Sequence, residues 1–332
     1  MFNLDIADRK IIRELFENAR RTYSEIGRKV RLSKEVVNYR IRRLENEGLI
    51  VGYNTIVDVK KIGWEMFLMY LQLRKIDAEK EKKIIDYASA HPHVAWVIHT
   101  LGNYDIVLKI FARSQEEAND IVKGMEKEIG DSIDQYYLDY LMEEHAVPFS
   151  FLYESEVKDL HLIKKSNEKT RAISATQSRL LEVIAKNARM PFSEIGSLLH
   201  LSRDVVKYNI REMERARIIL SYRPDTLPVK LDYNWYLIKL KLGFLSRHAG
   251  IRLESYLYNQ KNVTYFYRTS GNSDLAIELR ARTTEEVGNT LMDLRSILSD
   301  SLKRHELLLI LLEPKFTYFP ECMRIFQKNL KE

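Results

Sequence analysis

Cysteine and long apolar runs are almost absent from this 332-residue chain, whose single cysteine is Cys322. One cysteine excludes an intrachain disulfide framework and any metal site made of several cysteines, and it fits the reducing cytoplasm in which we expect the protein. No apolar stretch approaches the ~20 residues of a membrane span, and residues 1–5 lack the basic and apolar regions of a signal peptide. A net charge of +6 permits an anionic partner but does not require one.

The chain also lacks the short motifs of common catalytic sites. It has no glycine-rich phosphate loop, serine elbow or paired acid–base motif. His91 and His93 lie one residue apart and His99 follows, but two histidines without a supporting cysteine are a poor metal site. We therefore expect no metal, no cofactor and no catalysis.

The sequence contains an internal repeat, in which matching segments are separated by a constant offset of 169 residues. The repeated segments are Asn18-Ala19-Arg20 with Asn187-Ala188-Arg189, Ser24–Gly27 with Ser193–Gly196, Leu32-Ser33 with Leu201-Ser202, Val36-Val37 with Val205-Val206, and Gly102-Asn103 with Gly271-Asn272. So many coincidences at one offset indicate a tandem duplication. The charged stretch Lys164–Arg171 suits an exposed linker at the join.

Capping residues and apolar spacing predict three short helices at the start of each repeat. In the first repeat they span about 6–18, 22–30 and 33–47. Gly48 suits a left-handed end for the third helix, whereas Arg217 at the corresponding place predicts a different end in the second repeat. Three short helices with tight turns are typical of the helix-turn-helix, whose last helix enters the major groove of DNA.

The third helix carries polar and basic side chains opposite its apolar side. The candidate DNA-binding residues in the first repeat are Ser33, Lys34, Asn38, Tyr39, Arg40, Arg42 and Arg43. Asparagine and arginine can read base edges in pairs of hydrogen bonds, and arginine also binds phosphate. Lys207 and Arg211 occupy the same face in the second repeat, but Glu212 replaces Arg43 and would repel phosphate. We therefore expect the second domain to be degenerate.

The remainder of each repeat predicts a ferredoxin-like βαββαβ domain. The strands expected in the first repeat are Phe67–Leu73, His93–Thr100, Asp105–Phe111 and Tyr136–Met142. The helices are expected at Ala78–Ala90 and from Ser114 onward. The second repeat follows the same order from Trp235 to its final strand at Leu307–Leu312.

The first 150 residues closely resemble the Lrp/AsnC ("feast/famine") regulators. The matching positions are Leu4-Asp5, Asp8, Ile11, Leu15, Asn18-Ala19-Arg20, Ile26-Gly27, Leu32-Ser33, Val37, Arg40-Ile41, Arg43-Leu44-Glu45, Gly48, Ile50, Tyr53 and Gly102-Asn103-Tyr104-Asp105. Residues 170–320 resemble the family more loosely. Most members have one such unit per chain, so the tandem form is itself a departure.

The resemblance implies that the sheet domains pair and bind an amino acid or similar effector near the turn after the second strand. The effector residues it implies are Gly102, Asn103 and Asp105, with Gly271, Asn272 and Asp274 in the second repeat. The same residue types also make an ordinary empty turn. Because Ser273 stands where the first repeat has Tyr104, we expect the two turns to be inequivalent.

The sequence thus predicts an α+β fold with two repeats, each a (winged) helix-turn-helix plus a ferredoxin-like domain, and the chain divides into five segments. These are a helix-turn-helix DNA-binding domain (1–60), a ferredoxin-like ligand-sensing and dimerisation domain (61–150), a linker (151–172), a degenerate helix-turn-helix domain (173–229) and a second ferredoxin-like domain (230–320). We expect a regulator that binds double-stranded DNA as a homodimer or higher oligomer. Pairing between two chains is favoured over pairing within one, because the better DNA-reading surface occurs once per chain.

Two alternatives remain open. Some relatives of the fold decarboxylate a tetrapyrrole with histidines of the sheet domain, and the basic face of the first repeat argues against that reading. The chain could also be a partner protein that no longer binds DNA.

Overall fold

The computed structural model describes residues 3–74, 77–147, 149–153 and 170–325, so most of the predicted linker lies outside the described residues. The described residues form two compact units. One, here called the helical unit, contains residues up to 62 and residues 149–233; the other, the barrel unit, contains residues 63–147 and those from 234 onward. Each unit therefore combines the corresponding domains of both repeats.

The helices of the described residues are α1 Ile6–Glu17, α2 Tyr23–Val30, α3 Lys34–Asn46, α4 Ala78–Ala90, α5 Gln115–Ile129, α6 Ser150–Tyr153, α7 Ala175–Lys186, α8 Phe192–Leu199, α9 Arg203–Arg215, α10 Arg247–Asn259, α11 Thr284–Leu298 and α12 Cys322–Ile325. The strands are β1 Ile50–Val57, β2 Glu65–Leu73, β3 Val94–Leu101, β4 Ile106–Ala112, β5 Ile133–Ala146, β6 Ile219–Thr226, β7 Asn234–Leu242, β8 Val263–Ser270, β9 Leu275–Ala281 and β10 Leu302–Phe316. None of the helices described is long and apolar enough to cross a membrane.

Local capping explains where the helices of the first helix-turn-helix begin. The side chains of Asp5, Thr22 and Ser33 accept hydrogen bonds from the first-turn backbone of α1, α2 and α3 respectively. The apolar sides of the three helices, which include Ile11, Leu15, Ile26, Val37 and Leu44, are fully buried against one another. The predicted helices are confirmed within one or two residues at each end.

One expectation about the helix ends was wrong. Arg217 adopts φ +53°, close to the left-handed region that Gly48 occupies at φ +74°. In both repeats the residue at this position donates its backbone N–H to the carbonyl three residues before it, Glu45 or Glu214. The second helix therefore ends like the first, because the same backbone hydrogen bonds hold the non-glycine residue in a strained conformation.

The strand that joins the two helix-turn-helix domains was not predicted. β1 pairs with β6 in an antiparallel two-stranded sheet, and Asn54 lies opposite Arg223. Propensity alone does not reveal this pairing, since the two strands are about 170 residues apart in sequence and, among the described residues, neither pairs with a strand of its own repeat.

The barrel unit is a closed eight-stranded barrel with the order β10-β3-β4-β2-β5-β8-β9-β7. Each repeat contributes one four-stranded sheet of the ferredoxin-like order, and the joints β5–β8 and β10–β3 link the two sheets. The predicted βαββαβ fold is confirmed, but β5 and β10 extend several residues beyond the predicted ends on both sides. The C-terminal extensions of β5 and β10 pair with β8 and β3 of the other repeat, so sequence within one repeat could not indicate them.

Pairing of the sheet domains takes place within one chain, where the sequence favoured pairing between two. Fusion in tandem explains this difference, because it holds the second copy at a high effective concentration beside the first. Association with further chains stays a prediction.

The two faces of each sheet differ in chemistry. In the first repeat one face packs on α4 and α5 through an apolar cluster that includes Phe67, Met69, Ile84, Leu108 and Val122. The alternate residues, which point to the other face, include buried polar side chains. They are Tyr70, Lys109, Asp139, Lys239 and Glu278.

Candidate nucleic-acid interface and effector turns

The helices α3 and α9 present similar exposed surfaces. Tyr39 and its counterpart Tyr208 are 68% and 64% exposed, and Val36 and Val205 are 39% and 41% exposed. Below them, Val37, Ile41 and Leu44 are buried in the first domain, as Val206, Ile210 and Met213 are in the second. Because these cores are equivalent, both helices turn the same face outward.

Two of the predicted DNA-binding arginines are held by acids of their own domain. Arg40 donates to Asp5 at 2.6 Å and to Asp8 at 2.9 Å, and Arg43 donates to the other oxygen of Asp8. Asp8 is fully buried in the core of the domain. The backbone N–H of Asp8 and the Arg40 guanidinium lower the pKa of Asp5 to about 2, and the hydrogen bonds to Asp5 and Asp8 raise the pKa of Arg40. Arg40 and Arg43 thus tie α3 to α1.

The other predicted residues of α3 are arranged differently. The Ser33 hydroxyl accepts the Val36 N–H and so caps the helix, while Lys34 and Tyr39 are exposed. Arg42 donates to the Asn38 side-chain oxygen at 3.3 Å, which brings an amide and a guanidinium together on the exposed face. These are the two residue types expected to read base edges.

In α9, the acid that was expected to repel phosphate has a cationic partner. Glu212 accepts a hydrogen bond from Arg215 at 2.8 Å. Lys207 and Arg211, together with Arg203 at the start of the helix, make no ion pair within the described part of the chain. Their charges therefore remain available to an anionic partner.

The repeated Asn-Ala-Arg motif joins the two helix-turn-helix domains, a role that sequence reasoning missed. Arg20 donates to the carbonyl oxygens of Ala188 and Met190, and Arg189 donates to that of Ala19 at 2.8 Å. Each guanidinium also lies over aromatic rings of the helical unit, Arg20 over Phe192 at 4.4 Å. The exact recurrence of the motif could have indicated a shared role. The sequence of one repeat, however, cannot show that its arginine binds the backbone of the other repeat.

A cleft of about 730 Å³ opens beside these arginines in the helical unit. Its lining includes the cationic side chains Arg20, Arg21, Lys34 and Arg189, with one acid, Glu45. Arg21 is paired with Glu14 and Glu17, and Glu45 accepts the Tyr53 hydroxyl at 2.7 Å. Lys34 is the cation that connects this cleft to the exposed face of α3.

The two predicted effector turns, 102–105 (the first turn) and 271–274 (the second turn), share a backbone shape. Gly102 and Gly271 have φ of +148° and +150°, a region that side chains rarely adopt. A Cβ atom at Gly102 would lie 2.7 Å from Leu308, and one at Gly271 would lie 2.3 Å from the Asp139 carboxylate. Leu308 and Asp139 are themselves counterparts at the offset of 169.

The second turn already binds a carboxylate, that of Asp139 in the barrel unit. Asp139 accepts hydrogen bonds from the backbone N–H groups of Asn272 and Ser273, the latter at 3.1 Å, and from the Ser273 hydroxyl. The Asn272 side chain bonds to Tyr104 and Arg304. Asp139 has no exposed surface, so these two backbone N–H groups are already occupied by a carboxylate of the protein.

The first turn has Leu308 where the second has Asp139. The backbone N–H groups of Asn103 and Tyr104, which correspond to those that bind Asp139, have no acceptor among the described residues. Asn103 itself is exposed.

The aspartates of both turns hold the ends of neighbouring strands. Asp105 accepts the Leu73 N–H at 2.7 Å, and Asp274 accepts the Leu242 N–H at 2.7 Å. Asp274 also binds the Lys241 ammonium at 3.1 Å. The resemblance implied that these aspartates bind an effector, and each of them has a structural partner in the protein.

Three histidines of the barrel unit have hydrogen-bond partners within the protein. His99 pairs with Glu81 at 2.7 Å, His93 contacts the Phe111 carbonyl at 2.9 Å, and His145 contacts the Tyr258 hydroxyl at 2.7 Å. Burial lowers the pKa of His145, and burial lowers the pKa of His91 to about 4. His91 is thus neutral at physiological pH.

Comparison with known proteins finds the helix-turn-helix twice. The family model described as winged helix-turn-helix DNA-binding matches residues 4–51 and 173–219. HTH-type transcriptional regulator FL11 of Pyrococcus horikoshii is 30% identical over 119 residues, which cover 36% of this chain and 78% of that protein. LrpC of Bacillus subtilis is 33% identical over 120 residues, which cover 36% of this chain and 81% of LrpC. Each of these alignments thus covers less than one repeat of this chain.

A solved structure resembles the whole chain. The crystal structure of the siroheme decarboxylase NirDL aligns with 98% of this chain and 99% of its own, with a TM-score of 0.66 and 14% identity. At this identity the similarity is one of fold, and it extends the two-repeat architecture over the full length.

Proposed function

Because the chain belongs to the Lrp/AsnC family of transcriptional regulators, we propose that it regulates transcription by binding double-stranded DNA through its helix-turn-helix domains. The observation that carries the proposal is the exposed face of α3, where Asn38 and Arg42 lie together beside Lys34. Arginine and lysine supply phosphate affinity, and asparagine with arginine supplies base readout.

We expect binding to duplex DNA to weaken steeply as salt rises, because phosphate contacts release counterions. Arg42→Ala and Arg211→Ala should each lower affinity several-fold and reduce the slope of log K against log salt by roughly one. Fluorescence anisotropy with a labelled duplex, at a series of salt concentrations, measures both quantities. Lys123→Ala is the matched control, since this exposed cation lies on α5 of the barrel unit. Salt slopes that do not differ between these variants and the wild type would contradict the proposal.

The effector is proposed to be an amino acid or a similar small carboxylate, and its site the first turn. In the second turn, two backbone N–H groups and a hydroxyl bind the carboxylate of Asp139, so this backbone shape suits such a group. The corresponding N–H groups of Asn103 and Tyr104 have no acceptor among the described residues, and the Leu308 side chain stands where Asp139 stands in the second turn. A ligand regulates only if it binds two states with different affinity, so we expect it to change DNA affinity as well.

We expect Leu308→Asp to abolish effector binding, because it places in the first turn the carboxylate that Asp139 places in the second. Isothermal calorimetry with the twenty amino acids identifies the ligand of the wild type and measures its loss in the variant. Leu312→Asp, on the exposed side of the same strand, is the matched control and should bind normally. If the wild type binds an amino acid and Leu308→Asp binds it equally well while remaining folded, the first turn is not the site.

The decarboxylase alternative requires tetrapyrrole binding. The likeness to NirDL is one of fold and does not by itself favour that activity. A Soret absorption band after mixing with a tetrapyrrole would support the alternative, and it is independent of the DNA measurements.

A further inference from the structure

The two helix-turn-helix domains of the helical unit are related by a local pseudo-twofold axis. Asn54 of β1 lies opposite Arg223 of β6, its counterpart at the offset of 169, and the neighbouring pairs are arranged symmetrically about this pair. The backbone bonds are also reciprocal: Ala19 N–H donates to Tyr222 at 2.9 Å, and Ala188 N–H donates to Tyr53 at 2.8 Å. An isologous interface of this kind normally joins two identical subunits. Here one chain supplies both of its sides.

Four residues differ together between the two domains. The first has Arg40 and Arg43 with Asp5 and Asp8, and these four form the ion pairs between α1 and α3. At the counterpart positions the second domain has Asn209, Glu212, Ser174 and Gln177. The second domain has therefore lost a whole internal ion-pair network, acids and arginines alike. The change from Arg43 to Glu212 does not remove a cation that was free to bind phosphate.

Among the residues that the structure describes, the recognition helix α9 has at least as many cations without an ion pair as α3. Within the described residues, Lys34 and Arg42 of α3 make no ion pair, and neither do Arg203, Lys207 and Arg211 of α9. On this count α9 is at least as well suited to a phosphate backbone as α3. The replacement of Arg43 by Glu212 therefore does not argue against DNA binding by α9, although Ser197 and His200 replace the cations Arg28 and Arg31 of the first domain.

The two exposed faces differ in the residue that would read a base. Val36 and Tyr39 are kept as Val205 and Tyr208 with nearly equal exposure, but Asn38 is replaced by Lys207. Asparagine pairs with the N6 and N7 edge of adenine, whereas lysine donates to O6 and N7 of guanine. Equivalent positions of two half-sites would then carry different bases.

Accepting the proposed function, we infer that a single chain binds a non-palindromic DNA duplex with two unlike half-sites, one read by α3 and the other by α9. The half-site of α3 carries adenine at the position that Asn38 contacts. The half-site of α9 carries guanine at the equivalent position, which Lys207 contacts. The half-sites are inverted because a pseudo-twofold axis relates the two domains. They are unequal because Lys207 replaces Asn38.

Selection of bound duplexes from a random pool tests the inference, with the wild-type chain and the reciprocal variants Lys207→Asn and Asn38→Lys. The wild type should enrich an imperfect inverted repeat with adenine in one half and guanine in the other. Lys207→Asn should convert the guanine half to adenine and yield a symmetric site, and Asn38→Lys should yield the opposite symmetric site. Each protein should prefer its own site over the others by on the order of tenfold. Light scattering of the wild-type complex should give one chain per duplex.

Several results would overturn the inference while leaving the proposed function intact. They are a perfect palindrome enriched by the wild type, two chains on one duplex with both α3 helices engaged, or a Lys207→Asn motif identical to that of the wild type. Failure to enrich any duplex, together with no salt-dependent binding, would instead remove the proposed function and this inference with it.

Discussion

Asp139→Ala is expected to lower the free energy of unfolding of the barrel unit by about 3–5 kcal/mol, because it leaves several buried donors without an acceptor. The carboxylate accepts the backbone N–H groups of Asn272 and Ser273 and the Ser273 hydroxyl, and it has no exposed surface. An N–H group that is solvated in the unfolded chain and unpaired in the folded chain costs about 1–3 kcal/mol. Two or three such groups give the expected sum.

Denaturant unfolding followed by tryptophan fluorescence measures this loss. All three tryptophans of the chain, Trp64, Trp96 and Trp235, lie in the barrel unit, so the signal reports that unit. Asp134→Ala is the matched control, because this aspartate is exposed on the same strand β5 and should change stability by less than about 0.5 kcal/mol. A loss below about 1 kcal/mol for Asp139→Ala would show that the second turn does not depend on this carboxylate.

Asp8→Ala is expected to destabilise the helical unit by about 2–4 kcal/mol, since a buried carboxylate with two guanidinium partners is removed. The estimate lies below the full range for a buried pair because Arg40 and Arg43 keep 23% and 31% of their side-chain surface exposed. Part of the loss comes from the helix cap, in which Asp8 accepts the Asp5 N–H at 3.2 Å. Hydrogen exchange of the α1 and α3 amides reports the stability of this unit.

A double-mutant cycle with Arg43→Ala separates the ion pair from the cap. We expect a coupling energy above about 1 kcal/mol, because the two residues are in direct contact. Asp8→Gln introduces the residue type that the second repeat has at this position, where Gln177 forms a capping box with Ser174. This variant should keep the cap and lose only the ion pairs, so it should fall between the wild type and Asp8→Ala. Additive effects in the cycle would mean that Arg43 is not held by Asp8, and that its charge is available for DNA.

Local signals in the sequence were sufficient to predict the helices and the ferredoxin-like strands within one repeat. Asp5, Thr22 and Ser33 indicated where the helices begin, and the apolar period indicated which side is buried. These inferences succeed because capping and amphipathic burial depend on residues a few positions apart. The offset of 169 likewise determined the two-repeat architecture without any structure.

The sequence could not predict which residues individual side chains contact. Arg43 and Arg42 are adjacent and chemically identical, yet one is bound to Asp8 and the other is exposed. The difference arises because successive helix residues are rotated by 100°, so that Arg43 reaches α1 and Arg42 does not. Asp139 was not singled out at all, because its role depends on a turn that lies 133 residues away in sequence.

The sequence by itself thus determined the family, the duplicated α+β architecture and the face of α3 that is exposed, since all three follow from short-range periodicity and repeated motifs. Tertiary structure alone decided that β1 pairs with β6, that the two sheets close into one barrel, and that the second turn is filled by the protein's own carboxylate. The physical reason is that these features are contacts between the repeats. Once copies fused in one chain pair with each other, equivalent positions face different partners, and a residue's role depends on the opposite repeat as much as on its own.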